Sequence, residues 1–269
     1  MKNYLLFEIG VEELPARYVN SAMDQLKTNI VKSFNENRIT FDEVNVYSTP
    51  RRLTVIVNNI CEKQSDLEEE VKGPAKRIAV DAEGNYTKPL LGFMKSKGIK
   101  EEDLYFKQVG KEEYAFGKIK QDGQLTSEVL KSILPEAIKS MTFPKAMRWG
   151  GKNMRFIRPI RWMVCILNDS VLDIELEGIV SSNTTKGHRF LGESEFEVNT
   201  LNEYLTKLEE NFVILNQDKR KELIKKQCDD VAKSLGGEIE FDEELLEEVT
   251  HLVEYPTAFY GEFDEDYAK

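Results

Sequence analysis

The spacing of apolar residues changes several times along the chain, and this limits the fold more than any other feature of the sequence. Continuous apolar or β-branched runs at 4–9, 53–60 and 162–167 predict strands. Three- and four-residue steps from Val19 to Phe34 and from Val129 to Ile138 predict amphipathic helices. Strands and helices do not alternate as they would in a doubly wound parallel sheet. The sequence therefore predicts an α+β fold with mixed or antiparallel sheets and packed helices.

The segments between these elements carry turn signals and charge. Residues 62–71 are acidic and are expected to be exposed. The runs 104–109 and 114–120 flank Gly110-Lys111 and predict a β-hairpin. Pro135 lies inside a helical pattern and predicts a kink or a break at the preceding residue, because proline lacks the helical hydrogen-bond donor.

The chain becomes more helical after Thr200. Helical patterns lie at 201–208, 219–235 and 243–253. A last short strand is predicted at 257–260. The expected domains are an α+β core over 1–198, with a small inserted subdomain over 73–143, and a mainly helical segment over 199–269 that packs on the core.

Composition indicates a globular protein of a reducing compartment. The chain has 269 residues, 41% of them hydrophobic, and no apolar run approaches the roughly 20 residues that a membrane-spanning helix needs. Cys61, Cys165 and Cys228 are odd in number and far apart, which argues against a disulfide scaffold. The N-terminus is typical of a first strand and not of a signal peptide. We therefore expect a cytoplasmic location.

Positive charge is concentrated in residues 137–168, which we call the basic segment. This segment contains no acidic residue and seven basic ones: Lys139, Lys145, Arg148, Lys152, Arg155, Arg158 and Arg161. The formal charge of the chain is −11, so the rest of the chain carries −18. An anionic partner would therefore be attracted to the basic segment and repelled elsewhere.

Aromatic residues are interleaved with these charges. Trp149, Phe156 and Trp162 lie between the arginines, and the combination of cations with rings is typical of nucleic-acid binding, where phosphates meet arginine and unpaired bases stack on rings. The alternative is a charged rim beside ordinary core aromatics. Proline and glycine within the segment exclude one continuous helix, so we expect a loop or an irregular strand.

Two shorter stretches also offer cations. Arg51 and Arg52 follow a turn and begin a predicted strand, and residues 184–189 combine hydroxyls, a glycine and three cationic or titratable side chains. Such groups can donate hydrogen bonds to a phosphate. The alternative is internal pairing with the many carboxylates of the chain.

No self-sufficient active site is predicted. Glu8, Glu12 and Glu13 are interpreted mainly as charges at the start of a helix. His251 and Glu254 lack a third metal ligand, and a helix surface is favoured for the histidine. There is no glycine-rich phosphate loop and no nucleophile elbow. We therefore predict no catalytic residue and no metal site.

Six blocks of the sequence, in order, resemble the β subunit of bacterial heterotetrameric glycyl-tRNA synthetase. They are LFEIGVEELP at 6–15, STPRRL at 48–53, MRWG at 147–150, FIRPIRW at 156–162, GHRF at 187–190 and EVTHLVEYP at 248–256. Together the blocks are much more specific than any one of them. The resemblance implies the N-terminal part of a longer subunit, without its later HD-like and anticodon-binding regions.

The resemblance also implies a fold and a role. The N-terminal part of that subunit is thought to be similar to the B3/B4 module of phenylalanyl-tRNA synthetase β chains. In the family the catalytic core, which uses ATP and Mg, belongs to a separate α subunit within an α2β2 tetramer. We expect no cofactor in this chain, no aminoacylation by it alone, and a contribution to the binding and positioning of tRNA(Gly).

Two alternative functions remain open. One is a structural assembly platform without tRNA contact, since arginine and tryptophan also favour protein interfaces. The other is an editing-like hydrolytic module, for which no water-placing group or nucleophile is identified. The expected RNA-binding residues are Arg51, Arg52, Lys145, Arg148, Trp149, Lys152, Arg155, Arg158, Arg161, Lys186, His188 and Arg189.

Overall fold

A computed structural model describes residues 3–150, 153–264 and 266. The chain forms two compact units, one made of Met1–Glu62 and Thr126–Lys269, which we call the main unit, and one made of Lys63–Leu125, the small unit. Among the described residues, no helix is both long enough and apolar enough to cross a membrane.

The strands agree with the apolar runs of the sequence and add several short pairs. In chain order they are β1 (Tyr4–Val11), β2 (Glu43–Thr49), β3 (Arg52–Asn58), β4 (Leu67–Ala75), β5 (Leu104–Val109), β6 (Glu112–Gln121), β7 (Met147–Arg148), β8 (Arg155–Phe156), β9 (Ile160–Leu167), β10 (Ser170–Val171), β11 (Glu175–Leu176), β12 (Ile179–Val180), β13 (Thr184–Thr185) and β14 (Phe196–Glu197).

The helices follow the three- and four-residue apolar spacing. They are α1 (Val19–Glu36), α2 (Lys76–Ala79), α3 (Lys88–Lys97), α4 (Thr126–Lys139), α5 (Leu201–Glu210), α6 (Gln217–Ser234) and α7 (Glu243–Thr250), with 3-10 turns at Ala16–Tyr18 and Glu101–Asp103. The predicted α+β class, with antiparallel sheets and a more helical C-terminal stretch, is confirmed.

A five-stranded antiparallel sheet lies at the centre of the main unit. Its strand order is β10-β9-β1-β3-β2, so the first strand of the chain is the middle one. Phe7 on β1 lies opposite Val55 on β3 and Cys165 on β9. The central strands read as nearly continuous apolar runs because both faces of the sheet are covered.

Each face of the sheet has its own core. On one face Leu5, Phe7 and Ile9 pack with apolar residues of α1 and α4. On the other face Leu6 and Trp162 pack with residues of α5 and the segment after it. The two faces are therefore covered through alternate residues of the same strands, and α5 packs on the second face.

The small unit is a three-stranded antiparallel sheet of order β4-β6-β5, with α2 and α3. The predicted hairpin is the β5–β6 pair. The acidic residues are exposed as expected, but many of them belong to strand β4, which the sequence did not indicate. Lysines on the other two strands of this sheet explain this, because Glu68 pairs with Lys120 of the adjacent β6 at 3.5 Å and Glu70 with Lys107 of β5 at 2.9 Å.

Two local predictions were wrong, and a third was wrong in part. Of the kink or break predicted at Pro135, the break does not occur: helix α4 continues through Pro135 to Lys139, because its apolar face is buried along its length. Residues 257–260 form no strand, and Gln227 of α6 instead bonds the backbone of Pro256 and Ala258. Glu12 and Glu13 do not cap a helix: α1 begins without a side-chain cap, and both carboxylates pair with arginines.

Candidate nucleic-acid interface

The basic segment places two arginines side by side on a hairpin. Strands β7 and β8 pair so that Arg148 lies directly opposite Arg155, while Met147 lies opposite Phe156. Phe156 is buried and anchors the hairpin to the core. Arg148 and Arg155 are both exposed and are cross-strand neighbours on one face.

Neither guanidinium group is paired with a carboxylate in the part of the chain that the structure describes. Arg148 Nε donates to the backbone carbonyl of Asn153 at 3.3 Å, and Arg155 Nη2 donates to that of Ala146 at 3.1 Å. Within residues 3–150, 153–264 and 266, neither arginine forms an ion pair. Like charges opposite each other destabilise a sheet, and an anion between the two guanidinium groups would offset their repulsion.

Lys145 extends this positive surface. It is exposed and lines a cavity of about 610 Å³ together with Lys139, Arg155 and Glu177. Lys139 is paired with Glu136 at 2.8 Å, which leaves Lys145 and Arg155 as the cations of this cavity without an ion pair among the described residues.

A second cavity, of about 300 Å³, lies beside the hairpin. Its walls are mostly apolar and aromatic, with Arg161 and Glu177 as its charged residues. The residues that line this cavity are Trp149, Gly150, Met154, Phe156, Pro159, Ile160, Arg161, Leu176, Glu177 and Ile179. The indole Nε1 of Trp149 donates to the backbone oxygen of Phe156 at 2.9 Å, which fixes the plane of the ring.

Three further arginines converge on the turn at Glu12-Glu13. Arg189 pairs with Glu12 at 2.8 Å and with Glu13 at 3.0 Å, and Arg161 lies 3.8 Å from Glu12. The half-buried Arg158 donates to the backbone oxygen of Glu13 at 3.1 Å. These guanidinium groups therefore form ion pairs or hydrogen bonds within the chain, although Arg161 stays largely exposed.

Arg52 is directed inward and cannot reach a ligand. Its side chain is fully buried, 3.5 Å from Glu8 and 3.2 Å from Glu254. It also donates to the carbonyl oxygen of Lys186 at 2.8 Å. The neighbouring Arg51 is nearly buried and donates to the carbonyl oxygen of Gly187. The expectation that Arg52 contacts RNA is corrected: it is a structural charge.

Glu8 is the other centre of this buried network. Its carboxylate accepts hydrogen bonds from the indole of Trp162, from Thr185 at 2.6 Å and from the hydroxyl of Tyr204. Burial, followed by the charge of Glu8, raises the pKa of Tyr204, so the phenol stays protonated and donates. Burial alone would lower the pKa of Arg52, but Glu254 and Glu8 raise it overall, so the guanidinium stays charged.

The remaining expected residues stabilise a loop. Lys186 pairs with Glu195 at 2.8 Å and lies over the ring of Trp162. His188 Nδ1 accepts from the backbone N–H groups of Phe190 and Leu191, each at 3.3 Å. Among the described residues, no contact links Lys186 or His188 to the exposed cations of the β7–β8 hairpin.

The structure thus divides the expected RNA-binding residues into exposed cations and internal braces. Lys145, Arg148 and Arg155 gather with Trp149 on one surface, whereas Arg52, Lys186 and His188 serve the fold. Lys152 lies outside the described residues. Among those that are described, no group of His, Cys, Asp and Glu side chains could hold a metal ion.

Sequence reasoning missed two important carboxylates. Glu177 lines both cavities and occupies the two-residue β11–β12 turn, where it has a φ of 52° and Gly178 a φ of 79°. Such an x-Gly pair between apolar residues is a hairpin signal that could have been noticed. Glu254 reaches Arg52 across 202 positions, and no local signal identifies such a pair. His251, expected on a surface, is buried and bonds Asn20 at 3.0 Å.

Comparison with known proteins identifies the family. A profile described as "Glycyl-tRNA synthetase beta subunit" matches residues 5–269. Over the whole chain, 70% of residues are identical to the "Glycine--tRNA ligase beta subunit" of Clostridioides difficile (strain 630), of which the chain covers 39%. A protein with the same description from Desulforamulus reducens is 43% identical over 100% of the chain, which covers 38% of that protein. Another, from Bacillus subtilis (strain 168), is 45% identical over 99% of the chain, which covers 39% of that protein.

These matches confirm the resemblance that the six sequence blocks predict. The chain spans about two fifths of the length of the relatives it matches. The profile extends over almost every residue, and these relatives align with 99–100% of the chain. The chain therefore belongs to the glycyl-tRNA synthetase β-subunit family and is part of a glycine–tRNA ligase β subunit.

Proposed function

We propose that this chain binds and positions tRNA(Gly) through the exposed cations Lys145, Arg148 and Arg155. The observation that carries the proposal is the cross-strand pair of Arg148 and Arg155. These two adjacent positive charges form no ion pair with any described carboxylate. A phosphate between them would remove their mutual repulsion and accept hydrogen bonds from both. The names of the relatives make tRNA the polyanion to expect.

The proposed role is positioning, with the chemistry performed elsewhere. Holding the tRNA so that its acceptor end enters another subunit's site lowers the barrier without any group of this chain reacting. The α subunit of an α2β2 enzyme would supply that site and use ATP and Mg for glycylation in the cytoplasm. The domain boundaries stay a prediction: a core over 1–198, its inserted subdomain over 73–143 and the helical segment over 199–269.

A charge-reversal experiment tests the role of the hairpin. We expect the parent chain to bind tRNA with log K falling as log salt rises, at a slope of roughly −2 to −4 for three to five phosphate contacts. Lys145→Glu, Arg148→Glu and Arg155→Glu together should weaken binding more than about tenfold at low salt and flatten that slope. Fluorescence anisotropy of labelled tRNA across a salt series measures both quantities.

A control variant with the same change in net charge separates local from global effects. Lys27, Lys226 and Lys233 are exposed in helices α1 and α6 of the same unit, and their change to glutamate should weaken binding much less. The thermal unfolding of both variants should match that of the parent. Equal losses in the two variants, or no loss in the hairpin variant, would refute tRNA binding at the hairpin.

A second role in subunit assembly is supported by exposed aromatic residues. Phe259 is 88% exposed and Phe263 72% exposed in a segment without regular structure, and aromatic residues are enriched at protein interfaces. Changing both to serine should weaken capture of the chain by immobilised α subunit at least tenfold and leave tRNA affinity unchanged. Undiminished capture would argue against this surface as an assembly site.

A further inference from the structure

We propose that the cavity beside the β7–β8 hairpin holds one unpaired nucleobase of the bound RNA. This inference rests on the proposed function, because the RNA backbone would lie on Lys145, Arg148 and Arg155. The cavity has a volume of about 300 Å³, the lower end of the range of about 300–1,000 Å³ for small-molecule pockets. That size suits a single planar ring system.

The walls of the cavity match the faces of a base. Trp149, Phe156, Leu176 and Ile179 supply aromatic and branched apolar surface. Base stacking on aromatic rings is favourable and tolerates different bases, because every base has a π-face. Since the indole of Trp149 is already hydrogen-bonded to Phe156, its plane is fixed before a ligand arrives, and little side-chain freedom is lost on binding.

The charged groups of the cavity match the edges of a base. Glu177 is held at the β11–β12 turn, and its Oε2 accepts from the backbone N–H of Asn153 at 3.1 Å. A carboxylate offers about four acceptor positions, so Glu177 can also accept from the amino group of a base, as acidic side chains do with cytosine. Arg161, which is largely exposed, can donate to a ring nitrogen, a carbonyl oxygen or a phosphate.

The cavity also adjoins the proposed phosphate contacts. Met154 and Glu177 line both this cavity and the larger one that contains Lys145 and Arg155. A nucleotide can therefore place its phosphate on the cations and its base in the apolar cavity without crossing unrelated surface. An isolated phosphate site would not require aromatic walls, and a purely apolar cavity would not have Arg161 and Glu177 in its lining.

Filling the cavity tests the proposal. The probes are a short unstructured RNA oligonucleotide and a ribose–phosphate chain of equal length without bases. The parent should bind the intact RNA about tenfold more tightly than the base-free chain, the value of one stacked base. Ile179→Trp, which places an indole in the cavity, should remove this preference while the salt dependence of binding stays unchanged.

Two further variants keep the result interpretable. Leu205→Trp fills a different cavity, lined by Tyr47, Ile56 and Val213, and should leave the base preference intact. Trp149→Leu removes the stacking surface but keeps an apolar side chain, and should reduce the preference if Ile179→Trp does not fold. Far-UV circular dichroism melts establish which variants fold.

The outcomes separate this proposal from the proposed function. If the parent binds both probes equally, or if Ile179→Trp and Trp149→Leu keep the base preference, the base pocket is refuted while charge reversal at the hairpin still reports on phosphate binding. If neither probe binds the parent, both proposals fail. If the cavity instead accepts an aromatic side chain of a partner protein, the parent should bind both probes equally, and Ile179→Trp should not change the affinity for RNA.

Discussion

Replacing Arg52 with methionine should destabilise the main unit by about 3–5 kcal/mol. The side chain of Arg52 is fully buried between Glu8 and Glu254, whose own side chains are almost completely buried. Methionine fills part of the same volume but leaves the buried Glu8 without its cation, and it leaves Glu254 with only the more distant Arg51, at 3.7 Å. The cost of an uncompensated buried charge is much larger than the net value of the ion pairs that contain it.

Intrinsic tryptophan fluorescence during urea unfolding measures this effect. The only two tryptophans of the sequence, Trp149 and Trp162, both belong to the main unit, so the signal reports on that unit and not on the small one. Arg161→Met is the matched control, because it removes an arginine from an exposed ion pair with Glu12. We expect that control to change stability by less than about 1 kcal/mol.

A rescue experiment identifies the cause of the loss. Adding Glu8→Gln to Arg52→Met removes the buried carboxylate that has lost its cation and should restore part of the lost stability. The explanation by buried charge would be wrong if the free energy of unfolding of Arg52→Met lay within about 1 kcal/mol of the parent value. It would also be wrong if the second change lowered that free energy further.

Replacing Gly10 with alanine should cost at least about 3 kcal/mol, at the upper end of the usual penalty for overpacking a core. A Cβ atom at this position of β1 would lie 2.0 Å from Cδ2 and Cε2 of Trp162. The indole cannot easily move aside, because its Nε1 donates to Glu8 and it is 9% exposed. Arg51 and Lys186 also lie against the ring, at 5.7 and 5.4 Å from its centroid.

The same unfolding experiment applies to this variant. Gly261→Ala is the control, because a Cβ there meets nothing within 4 Å, and its stability should stay within about 0.5 kcal/mol of the parent. Trp162→Leu should reduce the additional cost of Gly10→Ala, a coupling that a double-mutant cycle measures. Gly10→Ala with parental stability would show that the strand β1 can shift away from the ring.

Close packing therefore explains part of the motif by which the family is recognised. In the block 6–15, Glu8 is a buried acceptor, Gly10 makes room for Trp162, and Glu12 and Glu13 pair with Arg189. Sequence inspection favours helix-start charges for these acids, because it considers neighbours a few residues away. Their actual partners lie 44 or more positions along the chain.

The apolar spacing by itself determined the class of the fold, the long strands of the central sheet and helices α1 and α4, because those patterns arise from contacts made at fixed local periods. The order of six sequence blocks likewise determined the family. Only the tertiary structure decided which cations face solvent: Arg52 and Arg148 are the same residue type, but one meets Glu8 and Glu254 in the core and the other meets Arg155 on the surface. That difference depends on which distant segments the sheet brings together, and local sequence carries no information about the charge that will lie opposite.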